Sequence, residues 1–323
     1  MKRRGRLLPA LALIGLLLVG WTIFGGWYGR GPLKHATDFT VSEGATLPVV
    51  AVALQKSGAI VSARAFRVRT RLFHRGAPLK AGEFLLPPGA SESEIFAILT
   101  GDLALRRFVT VPEGMPAVMV SDRLMAQSML SGPIAMPAEG SVLPQTYDFK
   151  RGEKRAAVLG RMQAAMQATM AQLWAHRAPS LPVKTPRQAL ILASIVEKET
   201  GKPAERAMVA GLYENRLRQG IRLQADPTII YPITRGRPLG RRIRQSEIAA
   251  INDYNTYAMA GLPKAPITNP GRSSIEAVLH PAKTDALYMV ADGTGGHVFA
   301  STLEEHNRNV ARWFAIRHAR GEL

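Results

Sequence analysis

The sequence predicts an α+β protein, carried behind one apolar N-terminal segment, with its chemistry placed on a helix. Three observations predict this. Two stretches share a strand, Glu-Gly turn, helix pattern: Thr40-Val-Ser-Glu-Gly44 precedes an apolar run to about Lys56, and Thr110-Val-Pro-Glu-Gly114 precedes another to about Leu130. Residues 185–199 carry both start and stop signals of a helix. Residues 287–299 read as a hairpin around a Gly-rich turn.

Residues 7–28 form an almost unbroken apolar run, long enough to cross a hydrocarbon layer of about 30 Å. Lys2, Arg3, Arg4 and Arg6 precede it, which predicts a cytoplasmic N-terminus, residues 1–6, and an exported remainder. Trp21, Trp27 and Tyr28 stand where an interfacial aromatic belt belongs. A cleavable signal peptide is the alternative, but Gly-Gly-Trp-Tyr-Gly-Arg is a poor cleavage site. A linker, 29–37, follows. Phe84-Leu-Leu-Pro-Pro-Gly89 reads as a strand entering a turn, and Ser91-Glu-Ser-Glu94 as a capping box opening a short helix to about Leu99.

Residues 131–184 read as a connecting region: Gly- and Pro-rich to 152, helical over 153–177, then a loop. Residues 185–323 are chemically denser. Thr185 is a good N-cap, Pro186 suits the first turn, and Gly201 and Pro203 lie past the end. A second helix is expected over 203–219, ending at Gly220. Arg235, Arg237, Arg241, Arg242 and Arg244 then mark a very basic loop.

The net charge of +18 calls for an anionic partner: nucleic acid, anionic lipid or an acidic polymer. Export of most of the chain argues against nucleic acid. The absence of cysteine excludes disulfides and thiolate metal sites. The histidines show no metal-ligand spacing, so neither metal nor cofactor is expected.

Glu197 and Glu199 fall in the last helical turn, the negative end of the helix dipole, where a carboxyl holds its proton more tightly. That property suits a general acid. Positions three, four and seven before Glu199 are Val196, Ile195 and Leu192, so Glu199 continues an apolar stripe and should face the core or a pocket. The same steps from Glu197 reach Ser194, Ala193 and Leu190, a weaker stripe. Glu199 is therefore the expected acid, and a solvated, charged helix end is the alternative reading.

Several segments, taken in order, resemble the MltG (YceG-like) family of endolytic murein transglycosylases. They include Ala193-Ser-Ile-Val-Glu-Lys-Glu-Thr200, Glu214-Asn-Arg-Leu217, Arg222-Leu-Gln-Ala-Asp-Pro-Thr-Ile-Ile-Tyr231, Tyr254-Asn-Thr-Tyr257, Gly261-Leu-Pro263, Asn269-Pro-Gly271 and His280-Pro-Ala-Lys283. Lys264-Ala265 departs from the Pro-Gly often found there. The resemblance implies a single-pass inner-membrane protein with a LysM-like module, 38–130, and a YceG-like catalytic domain, 185–323, outside the cytoplasm. It implies non-hydrolytic cleavage of the MurNAc–GlcNAc bond of nascent glycan strands, leaving 1,6-anhydro ends and ending strand elongation. It places the catalytic acid on Glu199.

The implied partners are peptidoglycan strands and the inner membrane, with peptidoglycan synthases (penicillin-binding proteins) to be considered beside them. Asp226 is expected to position substrate or orient the acid. Gln224, Asn255 and Tyr257 are candidate sugar contacts, with Glu197 and Thr228 in support; loop structuring is the alternative for Gln224, Asp226, Asn255 and Tyr257. Two other classes stay open: a hydrolytic muramidase with Asp226 as base, and a non-catalytic murein-binding scaffold.

Overall fold

The computed structural model describes residues 13, 15, 20–74, 77–101, 105 and 107–322. The chain forms two compact units, Met1–Arg107 and Phe108–Leu323. Helix and strand are mixed in both, so the α+β class holds.

In the N-terminal unit, β1 (Thr37–Val41) leads through Gly44 to α1 (Leu47–Lys56) and α2 (Ala63–Phe73). β2 (Gly82–Leu86) returns antiparallel to β1, with Phe39 opposite Phe84. α3 (Glu92–Thr100) begins with the expected capping box: the Ser91 hydroxyl accepts from the Glu94 amide, and the Glu94 carboxylate accepts from the Ser91 amide. The sequence reading had no counterpart of α2. Its arginines at 64, 67, 69 and 71 hide a narrow buried stripe of Ala63, Phe66 and Thr70.

The predicted span, 7–28, lies largely outside the described residues. Among the described residues no helix is long and apolar enough to cross a membrane. Residues 20–28 are helical, and their C-terminal end corrects the belt expectation for Trp27. Trp27 has no exposed surface. Its ring stacks on Phe73 at 5.4 Å and lies 6.1 Å from both Phe66 and Phe96. An indole walled in by protein on all sides is a core residue. Trp21 and Tyr28 stay exposed.

In the C-terminal unit, β3 (Arg107–Thr110) pairs with β4 (Thr146–Phe149), and α4 (Ala117–Met125) follows the second Glu-Gly turn. α5 (Arg155–Ala175), α6 (Pro186–Glu199), α7 (Arg206–Arg218) and α10 (Arg272–Leu279) enclose the main core. Between α7 and α10 come α8 (Pro227–Thr234) and the short α9 (Gln245–Ile248). The hairpin of β5 (Tyr288–Ala291) and β6 (His297–Ala300) packs against α11 (Leu303–Ala319).

The sequence reading drew boundaries at 130 and 184, whereas the compact units divide once, between Arg107 and Phe108. The reason is packing. α5 buries Val158, Leu159, Met162, Met166, Met170 and Leu173, so residues 131–184 help build the core. Asn269 fixes the second Glu-Gly turn to this unit: its side chain donates to the Met115 carbonyl at 2.8 Å and accepts from the Val142 amide at 3.0 Å.

Truncating Trp27 to Ala should destabilise the N-terminal unit by about 3–5 kcal/mol, as for a large buried aromatic. Hydrogen exchange at the β1–β2 amides measures this; protection equal to wild type would return Trp27 to an interfacial role.

Candidate active site

The site is built on the C-terminal end of α6. Thr185 caps the helix as expected, its hydroxyl accepting from the Gln188 amide at 3.1 Å. Gln188, whose place three residues after Thr185 would suit a capping box, makes no reciprocal bond to the N-cap amide. Its side chain accepts from the Lys184 amide instead, one residue earlier, at 2.6 Å. Leu192, Ile195 and Val196 have no exposed surface, so the stripe that ends on Glu199 is core throughout. α6 stops at Glu199, with Thr200 in extended conformation as C-cap and its hydroxyl engaged with the Glu205 carboxylate.

Glu199 is half-buried, and its Oε1 is enclosed without a hydrogen-bond partner. Burial pushes its carboxyl up to about 7. The negative charge of Asp226 adds to the rise, while the Tyr213 hydroxyl and the Arg216 guanidinium oppose it. A carboxyl so placed keeps its proton into the neutral range and can also release it there, as an acid that must later act as a base requires.

Glu197 points elsewhere. It accepts from the Gly271 amide at 2.9 Å and lies 3.6 Å from the Arg206 guanidinium. Its side chain is 5% exposed, so the weak stripe behind it did not leave it in solvent. The contact ties α6 to the start of α10, a structural task.

Around Glu199 stand Asp226, Tyr257, Tyr213 and Arg216, each electrostatically coupled to it or to one another. Asp226 is exposed and accepts a 2.6 Å bond from the Tyr257 hydroxyl. Burial, and then that bond, hold the Tyr257 proton more tightly than in free tyrosine. Gln224 has a positive φ of 52°, a costly backbone state for a non-glycine residue. Its Oε1 accepts from Arg216 at 3.4 Å.

Asn255 and Thr228 are bonded within the loops beside the site. The Asn255 amide donates to the carbonyls of Ile248 and Ala250 at 2.9 and 2.6 Å, and its Oδ1 accepts from the Tyr257 amide. With no exposed surface, Asn255 shapes the loop that presents Tyr257, the loop-structuring alternative of its two expected roles. Thr228 is equally buried; its hydroxyl bonds Ala225 and Thr256 and holds the 224–228 segment against the 255–257 loop.

Sequence reasoning assigned no role to Tyr213 or Arg216. Both lie on α7, three residues apart and so on one face. Arg216 is 8% exposed. Its guanidinium donates to the carbonyls of Leu287 and Leu223 at 2.6 and 2.8 Å and lies over the Tyr288 ring at 5.4 Å. It thus pins the β5 hairpin and the Gln224 turn to α7 beside the acid. The available signal was an arginine three residues after a tyrosine and next to a leucine in Tyr213-Glu-Asn-Arg-Leu217. Among the described residues no acidic or histidine cluster could hold a metal ion.

The arrangement is that of a half-buried acid with one enclosed, unpartnered oxygen on an α+β scaffold, beside a carboxylate held by a tyrosine. A sequence model of the YceG-like family matches residues 39–312, and the protein belongs to that family. An endolytic murein transglycosylase of Bacillus subtilis (strain 168) is 26% identical over 319 residues, covering 88% of this chain and 87% of that protein. An endolytic murein transglycosylase of Streptococcus pneumoniae serotype 2 is 35% identical over 180 residues. That match takes in 54% of this chain and 32% of the streptococcal protein. The crystal structure of a YceG-like protein of Listeria monocytogenes superposes with a TM-score of 0.54 at 25% identity, covering 85% of this chain and 98% of that one.

Two substitutions should move the Glu199 titration in opposite directions. Asp226→Asn removes a raising charge and should lower the pKa; Tyr213→Phe removes a group that favours the carboxylate and should raise it. A carboxyl NMR titration checks both, and shifts of the same sign would refute this electrostatic account.

Proposed function

We propose that the protein is an endolytic peptidoglycan lytic transglycosylase with Glu199 as its catalytic acid and base. The observation that carries this reading is the buried, unpartnered oxygen of Glu199, on a carboxyl pushed up to about 7, in a chain related to enzymes of that name. The protonated carboxyl gives its proton to the glycosidic oxygen between MurNAc and GlcNAc as that bond breaks. The resulting carboxylate takes the proton of the MurNAc C6 hydroxyl, whose oxygen bonds to C1. One carboxyl serves both transfers because no water is activated. Asp226, engaged by Tyr257, orients substrate and shapes the field around the acid.

A hydrolytic muramidase would need a second carboxylate free to activate water. The Tyr257 hydroxyl on Asp226 favours the positioning role instead. A scaffold without catalysis gives no reason for an acid held neutral in the site.

The N-terminal unit is read as a LysM-like module, on the strand–helix–helix–strand order of β1, α1, α2 and β2 with its outer strands paired antiparallel. Residues 7–26 are read as a single inner-membrane span with the catalytic unit outside the cytoplasm. The span stops short of Trp27 because that ring belongs to the core. A tether this close to the folded units keeps the enzyme near the bilayer, where nascent strands and their synthases lie.

Glu199→Gln should abolish cleavage, a loss of about 10²–10⁴ or more, while leaving the fold and strand binding intact. In the wild type, kcat/KM should fall as pH rises through about 7, because the carboxyl must start protonated. Product mass decides the chemistry: anhydro ends are lighter by one water than reducing ends. Activity within tenfold of wild type in the Gln variant would sink the assignment.

The full chain should stay with membranes through a carbonate wash and keep its own N-terminus. A mature protein that begins beyond about Gly26 and washes off would show a cleaved signal peptide.

A further inference from the structure

α8 starts at Asp226, which precedes its first turn, and Arg235 caps its last. Beside the far end is a pocket of about 380 Å³, lined by Ala117, Met136, Glu139, Tyr231, Arg235 and Tyr254 among others. About 12 Å of helix, eight residues at about 1.5 Å each, separates this end from Asp226. The Arg235 rim of the pocket is therefore set apart from Asp226 by the length of the helix.

Its construction suits a sugar carrying negative charge. Tyr231 and Tyr254 form a tilted aromatic wall, ring centroids 4.9 Å apart. Such faces pack against the apolar side of a sugar ring. The wall is fixed from behind. The Glu139 carboxyl is half-buried, accepts from the Ala117 amide at 2.8 Å and is bonded by the Tyr231 hydroxyl. Burial pushes Glu139 up to about 7, so below that pH it is mostly neutral and offers an approaching anion little repulsion.

Arg235 supplies the charge. Arg237 pairs with Asp122, and Arg241 with Glu247. Among the described residues, the Arg235 guanidinium makes no hydrogen bond or ion pair. Arg235 also occupies a left-handed backbone state, φ 54° and ψ 38°, at a helix C-terminus. Glycine or asparagine is favoured there, and an arginine costs stability. An unpaired cation at such a position, on the rim of an aromatic pocket, is a candidate for a role beyond the fold.

We propose that this pocket is a separate subsite for a carboxylate-bearing unit of the glycan strand, the sugar ring lying on Tyr231 and Tyr254 and the carboxylate pairing with Arg235. The inference rests on the murein reading above. The carboxylate has two sources: the lactyl group of a MurNAc without its peptide, or the stem peptide itself.

The test measures binding of purified glycan strands to the full chain carrying Glu199→Gln, with and without Arg235→Gly, Arg235→Lys and Tyr254→Ala. Glycine relieves the left-handed backbone, so Arg235→Gly should be no less stable than its parent, which a melting curve verifies. Arg235→Gly should weaken binding about three- to tenfold, the effect of one partly exposed ionic contact, and Arg235→Lys should restore part of it. Tyr254→Ala should weaken binding to every strand.

Strands with carboxyls blocked as amides should bind the parent as weakly as the Gly variant, and lose nothing more from the substitution. Amidase-treated strands expose lactyl carboxylates and intact strands expose peptide carboxylates; the larger Arg235 effect identifies the source. Equal binding by parent and Gly variant to both, or an equal loss on blocked strands, overturns the subsite. If wild-type protein binds strands without cleaving them, the transglycosylase reading fails while the binding data still decide the pocket. Failure to bind any strand overturns both.

Discussion

The C-terminal unit depends on the burial of α6. Its stripe from Leu192 to Val196 is sealed by α5, α7 and α10, so the helix can neither rotate nor slide without exposing several aliphatic side chains. Each such side chain is worth about 1.5–3 kcal/mol of burial. Glu199 is the next position on that stripe. The hydrophobic effect therefore carries a carboxyl into surroundings that disfavour its charge, and the perturbed proton affinity follows from packing. The Gly271 bond to Glu197 and the Arg216 bonds to residues 223, 224 and 287 fix the loops around this end of the helix.

The same physics recurs at Glu139 and Glu214, each also pushed up to about 7 by burial. In each, the folded protein holds a proton that the unfolded chain releases near 4.5. Their ionisation therefore takes stability from the folded state as pH rises from about 4.5 to about 7. Glu214 recovers part of this through its 2.9 Å pair with Arg218. Glu199 has no such cation in contact, which separates an acid available for chemistry from one that is part of the frame.

The neighbouring groups divide the labour. Tyr257 fixes Asp226, Asn255 and Thr228 fix the loops that carry them, and Arg216 braces the hairpin and the strained Gln224 turn. Charge elsewhere is more local than the net +18 implies, because Arg237 and Arg241 are neutralised by nearby acids. Among the described residues the Arg235 guanidinium has no such pairing and stays open at the rim of the Tyr231–Tyr254 pocket.

Local signals in the sequence determined α6 with its Thr185 cap, the Ser91 capping box, the β5–β6 hairpin and the apolar stripe that ends on Glu199. Each depends on residues within a few positions of one another, where helical or strand periodicity fixes direction. The family followed from the order of short segments along the chain. Tertiary structure alone decided that Trp27 is core, that residues 131–184 build the C-terminal unit, and that Asn255 serves the loop. These outcomes turn on partners far away in sequence: Phe66, Phe73 and Phe96 for Trp27, and Met115 and Val142 for Asn269. Arg216 was hidden for the same reason. Its partners at 223, 224 and 287 come from two loops, and only folding brings three acceptors to one guanidinium beside the acid.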